Sequence, residues 1–121
     1  MFLAASNPSR QLLVLHYIGR IQAAELRRGF EDIHKLLADL PSGFRLLVDL
    51  SHSESLDLDC VPELGRMMDL IGRASVGVVV RVIPDPQKDI GFNILSVFHY
   101  PHHPRIITCQ TTAEAGQLLS L

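Results

Sequence analysis

The chain has 121 residues, of which 47% are hydrophobic and 20% are charged, and its formal net charge is −2. This length and apolar content suit one domain with its own core, so we expect a single domain over residues 1–121. The near-neutral charge excludes a general electrostatic attraction to nucleic acid or to an anionic membrane surface. The longest apolar run, residues 76–83, is interrupted by Arg81 and is far shorter than the roughly 20 residues that span a bilayer.

The N-terminal segment and the cysteines both indicate a cytoplasmic protein. Residues 1–5 lack the basic and apolar regions of a secretion signal. Cys60 and Cys109 have no repeated spacing, and in a reducing compartment such residues usually pack as small apolar side chains. We therefore expect no disulfide.

The first half of the chain predicts a hairpin, a helix and a buried strand. Apolar stretches at 2–5 and 11–18 flank a turn signal at 7–10, which is typical of a β-hairpin. Over residues 22–40 apolar side chains recur at steps of four and three, as on one face of a helix. Residues 44–50 lack polar alternation, which indicates a central parallel strand covered by helices on both faces.

A polar, acidic loop and a second helix are predicted next. Residues 51–59 predict the loop, and the helix covers 60–72. Asp59 stands at the N-cap position, where its carboxylate can accept hydrogen bonds from free amides of the first turn. Residues 76–84, rich in β-branched side chains, predict a second buried strand.

The C-terminal third continues the alternation of helix and strand. A helix is predicted over 89–100 and a strand over 105–110. Thr111 and Glu114 match a capping box, which opens a terminal helix ending near Leu119. The element order predicts an α/β fold with an N-terminal hairpin, a mostly parallel central sheet of four to five strands and about four helices.

Three short motifs resemble those of one known family across nearly the whole chain. They are Ile-Gly-Arg-Ile at 18–21, Leu-Val-Asp-Leu-Ser at 47–51, and Thr-Ala-Glu-Ala at 112–115 followed by two leucines at 118–119. On these motifs the chain resembles the STAS domain family, the SpoIIAA-like fold of bacterial anti-sigma-factor antagonists. The resemblance implies a non-catalytic regulatory module that needs no cofactor and binds a protein partner of the kinase, anti-sigma or sensor type.

The chain departs from the family at its phosphorylation turn. In the family, an Asp-Leu-Ser strand end is followed by Asp-Ser-Ser-Gly, and a serine there is phosphorylated by a partner kinase. Counted from Asp49, the matching turn at 57–60 reads Asp-Leu-Asp-Cys, so the phosphoacceptor serine is missing. Asp59 places a permanent carboxylate where a phosphate would add about −1.5 to −2 charges. Two interpretations stay open: a switch fixed in a phosphorylated-like state, and ordinary helix capping.

The partner is expected to bind around residues 51–62 and the second helix. The candidate partner-binding residues are Ser51, Ser53, Ser55, Asp57 and Asp59. Regulation through one of the three serines is an alternative for this segment. The leading hairpin also leaves an edge strand to which a second copy of the chain could add, so self-association stays open.

Arg81 interrupts an apolar strand, where a lone buried guanidinium would be costly. We expect it to pair with Asp49 or with the acidic segment 54–59, near the carboxyl ends of adjacent strands. The alternative is an arginine whose charged end reaches solvent at the end of the strand.

Two other groups of residues are of types found in metal sites and in reactive thiol sites. His99, His102 and His103 are of a metal-ligating type, but intervening prolines and the lack of a nearby Cys or carboxylate favour a solvated loop, so no metal is predicted. Cys60 at a helix start has the position of a reactive thiol, although apolar packing is the stronger interpretation. Familiar catalytic motifs are absent from the sequence, and an enzyme built on these residues ranks last.

The alternative function is a small-molecule or lipid-binding domain. It would use an apolar pocket between the second and third helices, lined by Met67, Met68, Phe92 and Phe98. Such side chains at helical spacing more often fill a core.

Overall fold

The computed structural model describes residues 1–100 and 104–121, apart from the side chains of residues 86, 88–90 and 98. The described residues begin with a hairpin of two strands, whose turn contains a short 3-10 helix, Pro8–Arg10, and four α-helices then alternate with three further strands. The elements are β1 Phe2–Asn7, β2 Leu12–Ile21, α1 Ala23–Leu37, β3 Arg45–Leu56, α2 Cys60–Arg73, β4 Val78–Val82, α3 Pro86–His99, β5 Arg105–Cys109 and α4 Thr112–Leu118.

The strands form one sheet in the order β1-β2-β3-β4-β5. β1 and β2 pair antiparallel, and the other three pairs are parallel. The predicted α/β class, the hairpin and the mostly parallel sheet are thus confirmed. α1, α2 and α3 each connect one parallel strand to the next strand in the same direction across the sheet. Because all three crossover connections have the same handedness, these helices lie on one face of the sheet. α4 packs on the opposite face against β3, β4 and β5.

The main core lies between the sheet and α1–α3. Leu26 and Ile33 of α1 and Ile71 of α2 are buried there against the strand residues Leu46 and Val79. A smaller core lies under α4, where Ala115 and Leu119 cover Val80 and Val82. In the central part of the sheet, successive side chains of a strand alternate between these two cores, as Val79 and Val80 of β4 do.

Side chains accept hydrogen bonds from free amides at the start of three described helices, and at α3 the Asp85 carboxylate accepts from the Gln87 amide at 3.0 Å. The Thr111 hydroxyl accepts a hydrogen bond from the Glu114 amide at 3.2 Å, which confirms the predicted start of α4. At the start of α1, the Gln22 amide donates to the Glu25 carboxylate at 3.0 Å. This bond lowers the pKa of Glu25 below its usual value.

β3 is longer than the sequence predicts, and the predicted loop over 51–59 is wrong in its first part. Pairing with β4 ends at Asp49 and Val82, whereas pairing with β2 continues to Leu56 and Ile21. The second half of β3 therefore has a neighbouring strand on one side only. Polar residues are tolerated there because much of this half is open to solvent. The true loop is the short segment 57–59.

Candidate partner-binding site

The 57–59 loop, which precedes α2, is bonded both to the end of β2 and to the first residue of α2. Nε and Nη2 of Arg20 donate to the two carboxylate oxygens of Asp57, each at 3.1 Å. The Asp57 amide donates to the carbonyl of Ile21 at 3.2 Å, and the Cys60 amide donates to the carbonyl of Asp57 at 2.9 Å. Asp57 thus joins the end of β2 to the start of α2 through both its main chain and its side chain.

Asp59 does not cap α2 with its side chain, so the predicted capping role is wrong. Its backbone is already helical, with φ −71° and ψ −5°, whereas a capping residue is normally extended. Asp59 lies inside a turn in which the Val61 amide donates to the carbonyl of Leu58 at 3.2 Å, and this turn requires a helical backbone at Asp59. Within the described residues the Asp59 carboxylate has no hydrogen-bond or ion-pair partner, and it lies exposed.

Leu58 is the most exposed large apolar residue in the described part of the chain, at 90% of its surface. Val61, one turn further on, is 46% exposed, and Ile94 of α3 is 56% exposed. Next to them an open groove of about 310 Å³ runs between α2 and α3. The residues that line this α2/α3 groove are Val61, Leu64, Gly91, Phe92, Ile94 and Leu95.

The sequence did not single out Leu58 as an exposed apolar residue. It lies between two aspartates in a segment predicted to be polar and acidic, and it belongs to no periodic apolar pattern. A leucine between two acidic residues is the sequence feature that could have indicated an exposed apolar side chain.

The three serines do not gather at this loop, because all of them lie on β3. Ser51 bonds to Asp49, and Ser55 is exposed beside Arg20 of β2. The hydroxyl of Ser53 is buried and has no hydrogen-bond partner within the described residues. Of the five candidate residues, the structure brings only Asp57 and Asp59 together at the exposed turn.

Asp49 organises a bulge at the point where β3 leaves β4. Its Oδ1 accepts hydrogen bonds from the Ser51 amide at 2.9 Å and from the Ser51 hydroxyl at 2.6 Å. Its Oδ2 lies 3.2 Å from Nδ1 of His16 on β2. Burial raises the pKa of Asp49, but the bonds from Ser51 and the neighbouring His16 lower it by more, so it lies below its usual value. These contacts account for an almost fully buried carboxylate.

Comparison with solved structures identifies the fold, although no family model and no curated protein matches the sequence. An uncharacterised DUF3478-family protein from Shewanella loihica PV-4, described as having a SpoIIAA-like fold, superimposes with a TM-score of 0.70. It is 11% identical over 98% of this chain and 92% of that one. The unphosphorylated anti-sigma factor antagonist SpoIIAA gives 0.66, with 16% identity over 99% and 98% of the two chains.

The phosphorylated form of the Bacillus cell fate determinant SpoIIAA gives a TM-score of 0.64, with 16% identity over 98% and 99% of the two chains. The chain has the SpoIIAA-like, or STAS, fold. The resemblance inferred from the three sequence motifs is therefore confirmed at the level of fold.

Within this SpoIIAA-like fold, Arg81 is fully buried and does not pair with Asp49. Arg81 stands opposite Val48, and Asp49 stands opposite Val82, so the two side chains lie on opposite faces of the sheet. Nη1 of Arg81 donates to Oδ1 of Asn93 at 2.9 Å, and Nη2 donates to the Ser96 hydroxyl. The ion pair predicted with Asp49 is wrong, because the alternation of side chains along each strand places the two residues on opposite faces. With 1% of its surface exposed, Arg81 does not reach solvent either.

The cavity that described residues enclose between the sheet and the helices is too small for a lipid or a metabolite. A cavity lined by residues that include Met67, Met68, Phe92 and Tyr100 has a volume of about 20 Å³, which is enough for one water molecule. Phe98, the fourth predicted pocket residue, has a side chain outside the described set. Met67, Met68 and Phe92 therefore fill the core of the SpoIIAA-like fold.

The residues considered for chemistry have structural contacts instead. Burial raises the pKa of the Cys60 thiol, and the Asp59 carboxylate raises it further, which is the reverse of an activated thiol. Nδ1 of His99 lies 2.8 Å from Oδ1 of Asp69. Among described residues no group of three His, Cys, Asp or Glu side chains could hold a metal ion, and His102 and His103 lie outside them. The described helices include none that is long and apolar enough to cross a membrane.

Proposed function

We propose that this chain is a non-catalytic regulatory module that binds a protein partner through the 57–59 loop and the α2/α3 groove. The observation that carries the proposal is Leu58, which is 90% exposed on a loop that the Arg20–Asp57 pair bonds to the end of β2. Exposed apolar side chains that adjoin an apolar groove are typical of interaction surfaces. A preformed loop also loses little conformational entropy on binding.

The proposal agrees with the fold. SpoIIAA is an anti-sigma factor antagonist with both an unphosphorylated and a phosphorylated form, and a STAS-like module here would act on a kinase, an anti-sigma factor or a sensor in the cytoplasm. In this chain the position that corresponds to the family's phosphorylation turn has Asp59 and no serine. Binding is therefore constitutive or controlled by a ligand, and the customary phosphorylation switch is not used.

Site-specific photocrosslinking in the native host tests this function. A photoreactive amino acid replaces Leu58, and in a matched control it replaces Leu3, an apolar residue 48% exposed on the edge strand β1. Position 58 should give a covalent adduct with a defined protein, identified by mass spectrometry and reproduced with the purified partner. Identical adducts from both positions, or none from position 58 under any growth condition, would reject the proposal.

A further inference from the structure

The charged side chains of the 57–59 loop indicate the chemistry that its partner would need. The guanidinium of Arg20 already engages Asp57, so the charges of that pair offset each other. Asp59 carries the remaining negative charge of the loop, and its carboxylate has no partner in the described part of the chain. Exposed carboxylates contribute to recognition chiefly through a cation on the other molecule.

The apolar surface continues from this carboxylate into the groove. Leu58 precedes Asp59 directly, and Val61 lies at the mouth of the groove formed with Ile94. Leu64, Phe92 and Leu95 lie deeper between α2 and α3. A groove between two packed helices accepts the apolar face of a third helix, which inserts side chains at i, i+3 or i+4.

Together these features point to one occupant. We propose that the partner presents an amphipathic helix, with apolar side chains in the α2/α3 groove and a lysine or arginine opposite Asp59. This inference rests on the proposed function and adds the chemistry of the partner. The carboxylate selects a basic helix over an acidic helix of the same apolar pattern, because an acidic residue at that point would be repelled by Asp59, and the nearby Arg20 already pairs with Asp57.

Three synthetic 18-residue helical peptides test the charge preference on the whole chain. They share one stripe of leucines and have lysine, glutamine or glutamate beside it. In ¹⁵N NMR titrations the lysine peptide should shift the amides of residues 57–61 and 91–95 and bind about tenfold more tightly than the glutamate peptide. Equal affinity for the two, or shifts elsewhere on the chain, would overturn the inference.

Variants separate the charge from the apolar surface. Asp59→Asn should weaken the lysine peptide about threefold to fivefold, as expected for one exposed charge pair, and leave the glutamine peptide unchanged. Asp39→Asn, a matched change of an exposed aspartate beyond α1, should alter neither. Leu58→Ser should weaken all three peptides.

The outcomes also distinguish this inference from the function on which it rests. If the glutamine peptide binds as well as the lysine peptide and Asp59→Asn has no effect, the basic partner is wrong while a protein-binding groove stands. If sedimentation shows a dimer of the chain that Leu58→Ser dissociates, a second copy occupies the groove and the inference fails. The photocrosslinking result tests the proposed function independently of both.

Discussion

Asp49 and Arg81 lie on neighbouring strands but on opposite faces of the sheet, because Asp49 stands opposite Val82 and Arg81 stands opposite Val48. The side chains of these two buried charged residues therefore form hydrogen bonds with different groups. Asp49 receives its hydrogen bonds from Ser51 beside the α4 face, and Arg81 donates to groups of α3 on the other side.

Replacing Arg81 with methionine should lower the free energy of unfolding by about 1–3 kcal/mol, because the buried Ser96 hydroxyl and the Phe92 carbonyl lose a donor. Urea denaturation followed by circular dichroism measures this loss. Arg105→Met, at an exposed arginine of β5, serves as the control and should stay within about 0.5 kcal/mol of wild type. Equal stability of Arg81→Met and wild type would contradict the role of these bonds.

Ser51→Ala should raise the pKa of Asp49, because it removes the hydroxyl that donates to the carboxylate at 2.6 Å. Since the pKa of Asp49 is lower in the folded chain than the unfolded value of about 3.9, its ionisation stabilises the fold above that pH. That stabilisation is lost as the pH falls through the folded value. Carboxyl ¹³C titration and acid unfolding measure both effects. Ser55→Ala, on an exposed serine, should change neither, and an unshifted Asp49 in Ser51→Ala would refute the assignment.

Asp59→Ala should cost less than about 0.5 kcal/mol of stability, because the Asp59 side chain caps nothing. Thr111→Ala should cost about 1 kcal/mol, because the Thr111 hydroxyl does accept from the Glu114 amide. Thermal and urea unfolding of the two variants gives the comparison. The reverse order of losses would restore Asp59 as a cap.

Both tyrosines of the chain, Tyr17 and Tyr100, are buried, and the chain contains no tryptophan. Burial raises the pKa of Tyr100 to about 12 and that of Tyr17 still further. An unfolded tyrosine ionises near pH 10, so stability should fall as the pH rises above about 10. Phenolate absorbance at 295 nm should therefore appear together with the loss of circular dichroism. A titration near pH 10 in the folded chain would show that a tyrosine is exposed.

Gly77→Ala should destabilise the chain by about 1–3 kcal/mol, because an added Cβ would lie 2.9 Å from the backbone carbonyl oxygen of Gly43. Gly116→Ala in α4 has open space around it and should be neutral or stabilising by up to about 1 kcal/mol. Melting temperatures distinguish the two. A stable Gly77→Ala variant would show that the 43–44 and 76–77 segments can separate at little cost.

The sequence predicted the types and order of the elements because each has a local periodicity or cap. The helix periodicity of α1 and the Thr111 cap needed no knowledge of other segments. The extension of β3 to Leu56 could not be predicted in this way, because it depends on the length of the paired strand β2. Its polar residues resemble a loop when they are considered without that partner.

The candidate site was predicted less well than the fold. Segment 57–59 was correctly placed before α2, but the roles of its residues depend on tertiary contacts. Asp57 pairs with Arg20, which lies 37 positions earlier, and Leu58 beside it is exposed. The expected pair of Asp49 and Arg81 failed because the register of β3 and β4 determines the faces, and the sequence does not specify that register.

The order of the strands in the sheet is the same as their order along the chain. Every strand therefore pairs with the strand synthesised just before it, and no pairing must wait for a distant segment. At translation rates of about 5–20 residues per second, each βα unit has on the order of a second or more to add to the growing edge before the next unit appears. Such an arrangement favours progressive assembly on the ribosome, with one incomplete sheet edge at a time.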